Sequence, residues 1–253
     1  MICSKKLSKF KNIRHAFFNA NGGKSKGIYK SLNCGPGSKD KPNFVKKNLE
    51  IVKKKIGKTP NNIFLLHQIH SSRIIYIHKN YKFSKQRPKA DAIITNQKKL
   101  PIAVLTADCA PLLLCDDKKK IIAAIHAGWK GAYKGIINKV IKFMKKKGCM
   151  TKNITAAIGP TISFKNYEIK EDFKSKFLKK NQNNKVFFKN SKGKMYFNLS
   201  KYILKELKDN KIRNIDIINK DTFNVNNNFF SARRALSLSQ NDYGRNISII
   251  MIN

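Results

Sequence analysis

Acidic side chains are scarce in this sequence: 14 Asp and Glu stand against 54 Lys and Arg, a formal charge of +40 over 253 residues. A balance this one-sided raises the question of nucleic acid or an anionic membrane as partner. The lysines, however, are spread along the whole chain, in KKNLEIVKKKIGK, KFMKKKG and KFLKKNQNNK alike, with isoleucine and asparagine enriched beside them. Nucleic-acid binders concentrate charge on one face with aromatics between, so dedicated nucleic-acid binding is not expected and the charge reads as a chain-wide compositional bias. Its physical consequence is attraction for small anions such as phosphate, screened by salt.

Cysteine is sparse as well. Cys3, Cys34, Cys109, Cys115 and Cys149 are odd in number and scattered, with no CxxC pair, which excludes a disulfide-stapled secreted domain and predicts reduced thiols. No apolar run approaches the roughly 18 residues of a spanning helix, and MICSKKLSKFKNIRHAFF lacks an apolar stretch followed by a small-residue cleavage site. The expectation is a cytoplasmic protein with no membrane partner. Repeats, heptads and Pro/Gly/Ser linkers are also missing, so residues 1–253 are expected to form one domain; the pattern carries no sign of its oligomeric state.

What is present is a series of short apolar runs. NIFLL (62–66), RIIYI (73–77), DAIIT (91–95), PIAVLT (101–106), PLLLC (111–115), IIAAIH (121–126) and ITAAIG (154–159) read as strands. Several lack alternation, which predicts cover on both faces. Helical spacing predicts helices over 43–56, 131–147 and 199–208, the last capped by Asn198 or Ser200. The polar stretch 180–194 reads as an exposed loop with one short strand. Strands interspersed with helices predict a layered α/β fold.

Two polar residues interrupt this pattern where packing asks for none. If PLLLC and IIAAIH pair as a hairpin across Asp116–Lys119, Cys115 faces Lys120, Leu113 faces Ile122, and the count brings Cys109 opposite His126. Opposed residues have Cβ atoms ~4.5–5.5 Å apart, close enough for a thiolate and an imidazole to share a metal. A cysteine in an apolar strand is most often inert core, and a strand-end histidine most often holds one backbone hydrogen bond. The pair gains weight from HQIHS, where His67 and His70 face opposite ways in an extended segment, so that one of them can join. One Cys and two His with an open fourth position is the pattern of catalytic zinc. The same Cys and His without metal make an activated nucleophile, and spacing leaves both open.

TADCAPLLL, IHAGWKG, HQIHS, GPTISFKNYEI and FFSARR together resemble the purine nucleoside phosphorylase family formerly labelled polyphenol oxidase or laccase-domain proteins. The resemblance runs from HAFFNANGGKSKGIYKSLNCG to FFSARRALSLSQNDYGR. It implies a single-domain, four-layer α/β/β/α sandwich with mixed sheets. It also implies a zinc-dependent enzyme that takes purine nucleosides (adenosine, inosine, guanosine, methylthioadenosine) and phosphate, and that deaminates adenosine. Its metal ligands fall on His70, Cys109 and His126, not His67. The older oxidase label would need several copper ions and more donors than five histidines provide.

The chain departs from the family where relatives usually carry arginine, at Ala20 and at Leu49 after Asn48. Lys24, Lys26, Arg233 and Arg234 are the candidate replacements for phosphate or ribose contacts. Asp108, beside Cys109, is a candidate to orient a ligand or shuttle a proton, and Asp91 in ADAIIT is a second, each with a structural turn role as the alternative. Trp129 is a candidate to stack on a base or else a packing anchor. Two rival functions remain at this stage: a metal-free cysteine hydrolase or amidase acting on cell-wall precursors, with Cys109 as nucleophile and His126 as base, and a non-enzymatic nucleic-acid binder. If the charge is compositional bias, reversing several lysines of KFMKKKG should leave turnover within about twofold at physiological salt, where screening acts over ~8 Å. A steady-state assay that found a large selective loss would reinstate a dedicated basic patch.

Overall fold

Isoleucine and valine suit a pleated surface because their branched side chains pack well there and lose little rotamer freedom. The computed structural model, which describes residues 1–253, places them accordingly. The chain runs through β1 (Ile13–Phe17), α1 (Pro42–Ile56), β2 (Ile74–Ile77), β3 (Ala92–Thr95), β4 (Ile102–Thr106), β5 (Ala110–Asp116) and β6 (Ile121–Ala127). It continues through α2 (Trp129–Tyr133), α3 (Ile136–Lys146), β7 (Ile154–Ile158), β8 (Glu168–Ile169), α4 (Glu171–Lys180), β9 (Phe188–Ser191) and β10 (Lys194–Phe197). It closes with α5 (Leu199–Asp209), β11 (Asn214–Ile217), α6 (Ala232–Ser237) and β12 (Asn246–Ile252). The fold is mixed α/β. A six-stranded sheet has the order β11-β7-β5-β6-β3-β2, a three-stranded one β1-β12-β4, and a small one β8-β10-β9. The large sheet is mixed: β11 with β7 and β2 with β3 are parallel, the rest antiparallel.

Three apolar clusters order these elements. Ile93, Leu113, Ile122 and Ala157 of the large sheet meet Ile102, Val104 and Ile250 of the three-stranded one. The alternate residues Ile94, Leu112, Leu114 and Ile125 lie under Val140, Ile141 and Met144 of α3 and Ile203 of α5. On the far side Ala103, Leu105, Ile247 and Ile249 lie against Val52 and Ile56 of α1. The period of two along each strand therefore feeds two different cores, which is why the runs read as apolar without alternation. Asp91, Cys109 and His126 share the parity of Ile93, Leu113 and Ile122, so they sit at one end of the gap between the sheets.

The hairpin register differs from the expected one. Cys115 pairs with Ile122, Leu113 with Ala124, and His126 with Pro111 rather than Cys109. The turn is Asp117–Lys120 because the Asp116 carboxylate accepts the Lys119 N–H at 3.0 Å, which keeps Asp116 in the strand, while Lys120 returns the chain in a left-handed conformation, φ 53°. The shift is two residues, so every side chain keeps its face and Cys109 stays on the side of His126.

Other elements differ as well. NIFLL forms only an isolated bridge, Phe64 to Ile102. The helix expected over 131–147 is two, α2 and α3, separated at Gly135, whose φ of 78° ends one and starts the other. The stretch 180–194 holds a turn of 3-10 helix, Gln182–Phe187, and then β9. Strands β1, β8, β10, β11 and β12 and helices α4 and α6 had no counterpart in the expected elements.

One backbone contact ties the strands under the site together. A Cβ at Gly159 would lie 2.3 Å from the buried Phe17 ring and 2.8 Å from Pro111 Cγ, while the Gly159 N–H donates to the Pro111 carbonyl at 2.8 Å. Gly159→Ala is expected to lower unfolding free energy by about 1–3 kcal/mol through overpacking, read as a lower denaturation midpoint with unchanged m-value.

Candidate metal centre

The site grows from one carboxylate. Asp91 is fully buried at the entrance to β3, and its oxygens accept the backbone N–H of Ile69 (3.2 Å), His70 (2.9 Å) and Ser71 (2.6 Å) and the Ser71 hydroxyl (2.6 Å). A further bond of 2.9 Å joins it to Nδ1 of His126. Its main chain is engaged too, the carbonyl accepting His126 N–H at 2.8 Å. Burial pushes the carboxyl pKa up, but the bonds from His126 and Ser71 overcome this and bring it to about 2. An ionised carboxylate only accepts hydrogen bonds, so His126 donates from Nδ1 and presents Nε2 to the neighbouring ligands.

His70 leaves the same anchored turn with φ 55°, a left-handed backbone conformation, that aims its ring at His126; the ring centroids are 4.8 Å apart at 76°. Cys109 follows β4, with Sγ 3.8 Å from His70 Nε2. The three donor atoms all lie within 4.8 Å of one another, so a small rotation of the exposed His70 ring brings them around one ion at ligand distances of ~2.0–2.3 Å. The backbone makes room for this convergence. A Cβ on Gly128 would lie 2.7 Å from Cys109 Sγ and 3.0 Å from His70 Cδ2, and one on Gly131 would lie 2.9 Å from the Ser71 carbonyl. The two glycines of HAGWKG are thus the space that the donors and their loop occupy.

The electrostatics favour a thiolate. Burial opposes ionisation of Cys109, but the neighbouring His126 cation and hydrogen bonds from His126 and His70 bring the thiol down to about 6. Burial likewise opposes the His126 cation, yet Cys109 and Asp91 raise it to about 9. Cys34, by burial, and Cys115, by burial and the neighbouring Asp117 and Asp116 carboxylates, are pushed up instead. A thiolate and an imidazole held by a carboxylate are the donor types a borderline-soft cation such as zinc takes.

The other residues singled out from sequence fall in different places. Asp108 points away from the trio: its carboxylate accepts the Thr222 hydroxyl at 2.6 Å and the Arg233 N–H at 2.8 Å, bracing the Cys109 loop against α6. Arg233 lines a cleft with His70 and Cys109 and donates to the Glu168 carbonyl at 2.9 Å. Arg234 is turned inward, its guanidinium spent on the carbonyls of Thr222, Phe223 and Phe229, so it is a loop clamp rather than a substrate contact. Trp129 packs on Phe173, 4.7 Å between centroids, and is a core anchor outside the cleft. Lys24 and Lys26 are exposed, and neither lines a cleft shared with the trio. Sequence reasoning missed Gln68, Arg87, Tyr243 and Arg245, which do line one; Gln68 and Arg245 stood inside quoted motifs, whereas Arg87 carried no signal.

A family model described as "Multi-copper polyphenol oxidoreductase laccase" matches residues 14–253. The chain belongs to this family. A protein of Haemophilus influenzae named purine nucleoside phosphorylase is 34% identical over 246 residues, covering 95% of this chain and 94% of that protein. One of Bacteroides thetaiotaomicron with the same name is 33% identical over 184 residues, 70% of this chain and 68% of that protein. The crystal structure of a Neisseria meningitidis protein superimposes with a TM-score of 0.84 at 30% identity, over 96% of this chain and 95% of that one.

If the trio holds a cation, Cys109→Ser should yield folded protein without it, because serine is not ionised as readily as a thiol. Asp91→Asn should weaken metal affinity by about 10–100-fold, the usual effect of losing an outer-shell partner. Cys115→Ser, on β5 (Ala110–Asp116) and packed in the apolar core between the sheets away from the trio, should keep the metal. Elemental analysis after dialysis reads all three; full occupancy in Cys109→Ser would refute the site.

Proposed function

We propose that this chain is a zinc-dependent purine nucleoside phosphorylase that also deaminates adenosine, with residues 1–253 acting as one catalytic domain in the cytoplasm. The observation that carries the reading is the convergence of His70, Cys109 and His126 beside open clefts, a three-donor set of the catalytic rather than the closed structural kind. The names of the Haemophilus and Bacteroides relatives support the choice of reaction. His70, Cys109 and His126 would hold the ion, which when bound would supply Lewis acidity beside the clefts. The chain's own residues supply position. Asp91 fixes the His126 ring and the His70 loop, Asp108 and Thr222 fix the loop of Cys109, and Tyr167, whose phenol burial holds protonated, lines the cleft beside His70 and Cys109 with a hydroxyl able to donate a hydrogen bond.

In phosphorolysis a phosphate oxygen forms a bond to ribose C1′ as the bond from C1′ to the purine nitrogen breaks. The electron pair leaves on the purine, which takes a proton to become free base, and ribose 1-phosphate is the other product. In deamination a water oxygen replaces the amine on the purine ring and ammonia departs. A multi-copper oxidase reading finds too few donors. Of five histidines, His15 Nε2 accepts the Ser4 N–H at 2.8 Å and His78 Nδ1 the Asn80 N–H at 3.2 Å, and a single three-residue cluster remains.

The lowered thiol pKa also favours a second reading, a metal-free hydrolase or amidase in which Cys109 attacks, His126 is the base and Asp91 orients it. Two measurements separate the readings. Mass analysis of a nucleoside panel should give free base only when phosphate is added, and inosine from adenosine in either buffer; neither product would sink the leading proposal. Cys109 should resist alkylation until a chelator is added, and in the stripped protein its alkylation rate should rise through pH ~6 rather than the ordinary ~8.5. Rapid alkylation of the protein as isolated, with no effect of chelator, would favour the nucleophile.

A further inference from the structure

His70 and Cys109 stand on a wall between two cavities rather than at the bottom of one, and His126 lines the first of them. On one side a cleft of about 280 Å³ is lined by His67, Gln68, Arg87, Thr106 and Arg245. On the other a cleft of about 260 Å³ is lined by Ile162, Tyr167, Leu199, Ala232 and Leu236. His70, Ala107, Cys109 and Tyr243 line both.

The two sides differ in chemistry. The first has no acidic residue in its lining. Arg245 there is committed to the Asp242 carboxylate at 2.8 Å and to the Tyr243 carbonyl. Arg87 makes one long bond, 3.3 Å to the Leu66 carbonyl, and has no acidic partner, which leaves most of its five donors facing the cleft or water. Its backbone is nonetheless fixed. His67 N–H donates to the Pro88 carbonyl at 3.0 Å and Ala90 N–H to the His67 carbonyl at 3.3 Å, so the segment carrying Arg87 is laced to the segment carrying His70, and both lead to Asp91. In a chain with 54 Lys and Arg most cations are solvated; this one is half-buried, anchored and beside the trio. A planar guanidinium with free donors suits a tetrahedral oxyanion, which it binds through two parallel hydrogen bonds. The second cleft is apolar and aromatic. Of its two charged residues, Asp108 accepts from Thr222 and the Arg233 N–H, and the Arg233 guanidinium donates one bond to the Glu168 carbonyl and lies over the Tyr167 ring, 5.5 Å away; an anion entering here would meet the Asp108 carboxylate and apolar walls.

We propose that the Arg87 cleft is the phosphate subsite, with Arg87 as the residue that binds the anion, and that the cleft of Ile162, Tyr167 and Leu236 is the nucleobase subsite. The assignment rests on the phosphorylase reading and adds to it which side each substrate enters. The ribose then spans the shared wall, which places its C1′ between the attacking phosphate oxygen and the departing base.

The test uses the metal-loaded protein, with inorganic phosphate and inosine as probes. Arg87→Gln should weaken phosphate by about tenfold or more, both as Kd by calorimetry and as KM, while the inosine KM stays within about twofold and metal content and unfolding midpoint hold. Arg87→Lys should recover part of the loss, as a point charge without the fork. Leu236→Asp, at a rim position 73% exposed and so tolerated by folding, should raise the inosine KM about tenfold and leave the phosphate Kd unchanged. An unchanged phosphate Kd in Arg87→Gln, or equal weakening of both ligands, overturns the assignment. Phosphate binding that depends on Arg87 in a protein that yields no ribose 1-phosphate keeps the subsite and removes the phosphorylase. Ribose 1-phosphate formed with a phosphate KM indifferent to Arg87 does the reverse.

Discussion

The site depends on a buried carboxylate that is never left unpaired. Removing Asp91 from water is unfavourable unless its oxygens are satisfied, and here they take three backbone N–H groups, one hydroxyl and one imidazole. The consequences run in two directions. Toward His126 the carboxylate selects the tautomer and locks the ring; toward residues 69–71 it folds the loop that delivers His70. Two of the three donors thus answer to one group that is not itself one of the three. Asp108 repeats the arrangement for the third, since its bonds to Thr222 and Arg233 pin the loop that carries Cys109.

The sheets supply what the carboxylates cannot, a fixed distance between segments remote in sequence. Strand β6 lies between β5 and β3, so the ends of β5 and β3 bring Cys109 and Asp91 to either side of His126. Because all three share one parity, they face the gap between the sheets, at the end that opens into a cleft. Gly128 completes the geometry: any side chain at that position would occupy the space in which Cys109 and His70 approach one another.

Much of this was legible in the sequence, for reasons that differ by residue. The runs from 91 to 127 announced strands because burial on both faces leaves an uninterrupted apolar record, and an even register error could not move Cys109 off the face of His126. The glycines of HAGWKG and the histidines of HQIHS were visible as motifs. Arg87 was not, because its meaning comes from a bridge between residues 67 and 89 that no periodicity encodes. Arg234 and Trp129 misled for the opposite reason. Their residue types suit ligands, but an Arg that caps three carbonyls and a Trp inside an aromatic cluster look no different in a string of letters. The break at Gly135 and the strand β12 escaped because α2 continues the helical period of α3 and NISIIMI lies far in sequence from both its partners.

A thiolate beside a carboxylate-held imidazole serves metal binding and nucleophilic attack equally well, so the pKa values alone do not choose between them. The surroundings do weigh the choice. A nucleophile needs Cys109, His126 and Asp91 and one cavity that admits a carbonyl; it asks of His70 only help in lowering the thiol pKa, although the His70 loop is held by more Asp91 bonds than His126 is, and it gives no reason for Gly128 to surrender its side chain to the approach of His70 toward Cys109. A cation requires both features, because it needs a third donor and a backbone that lets the donors converge.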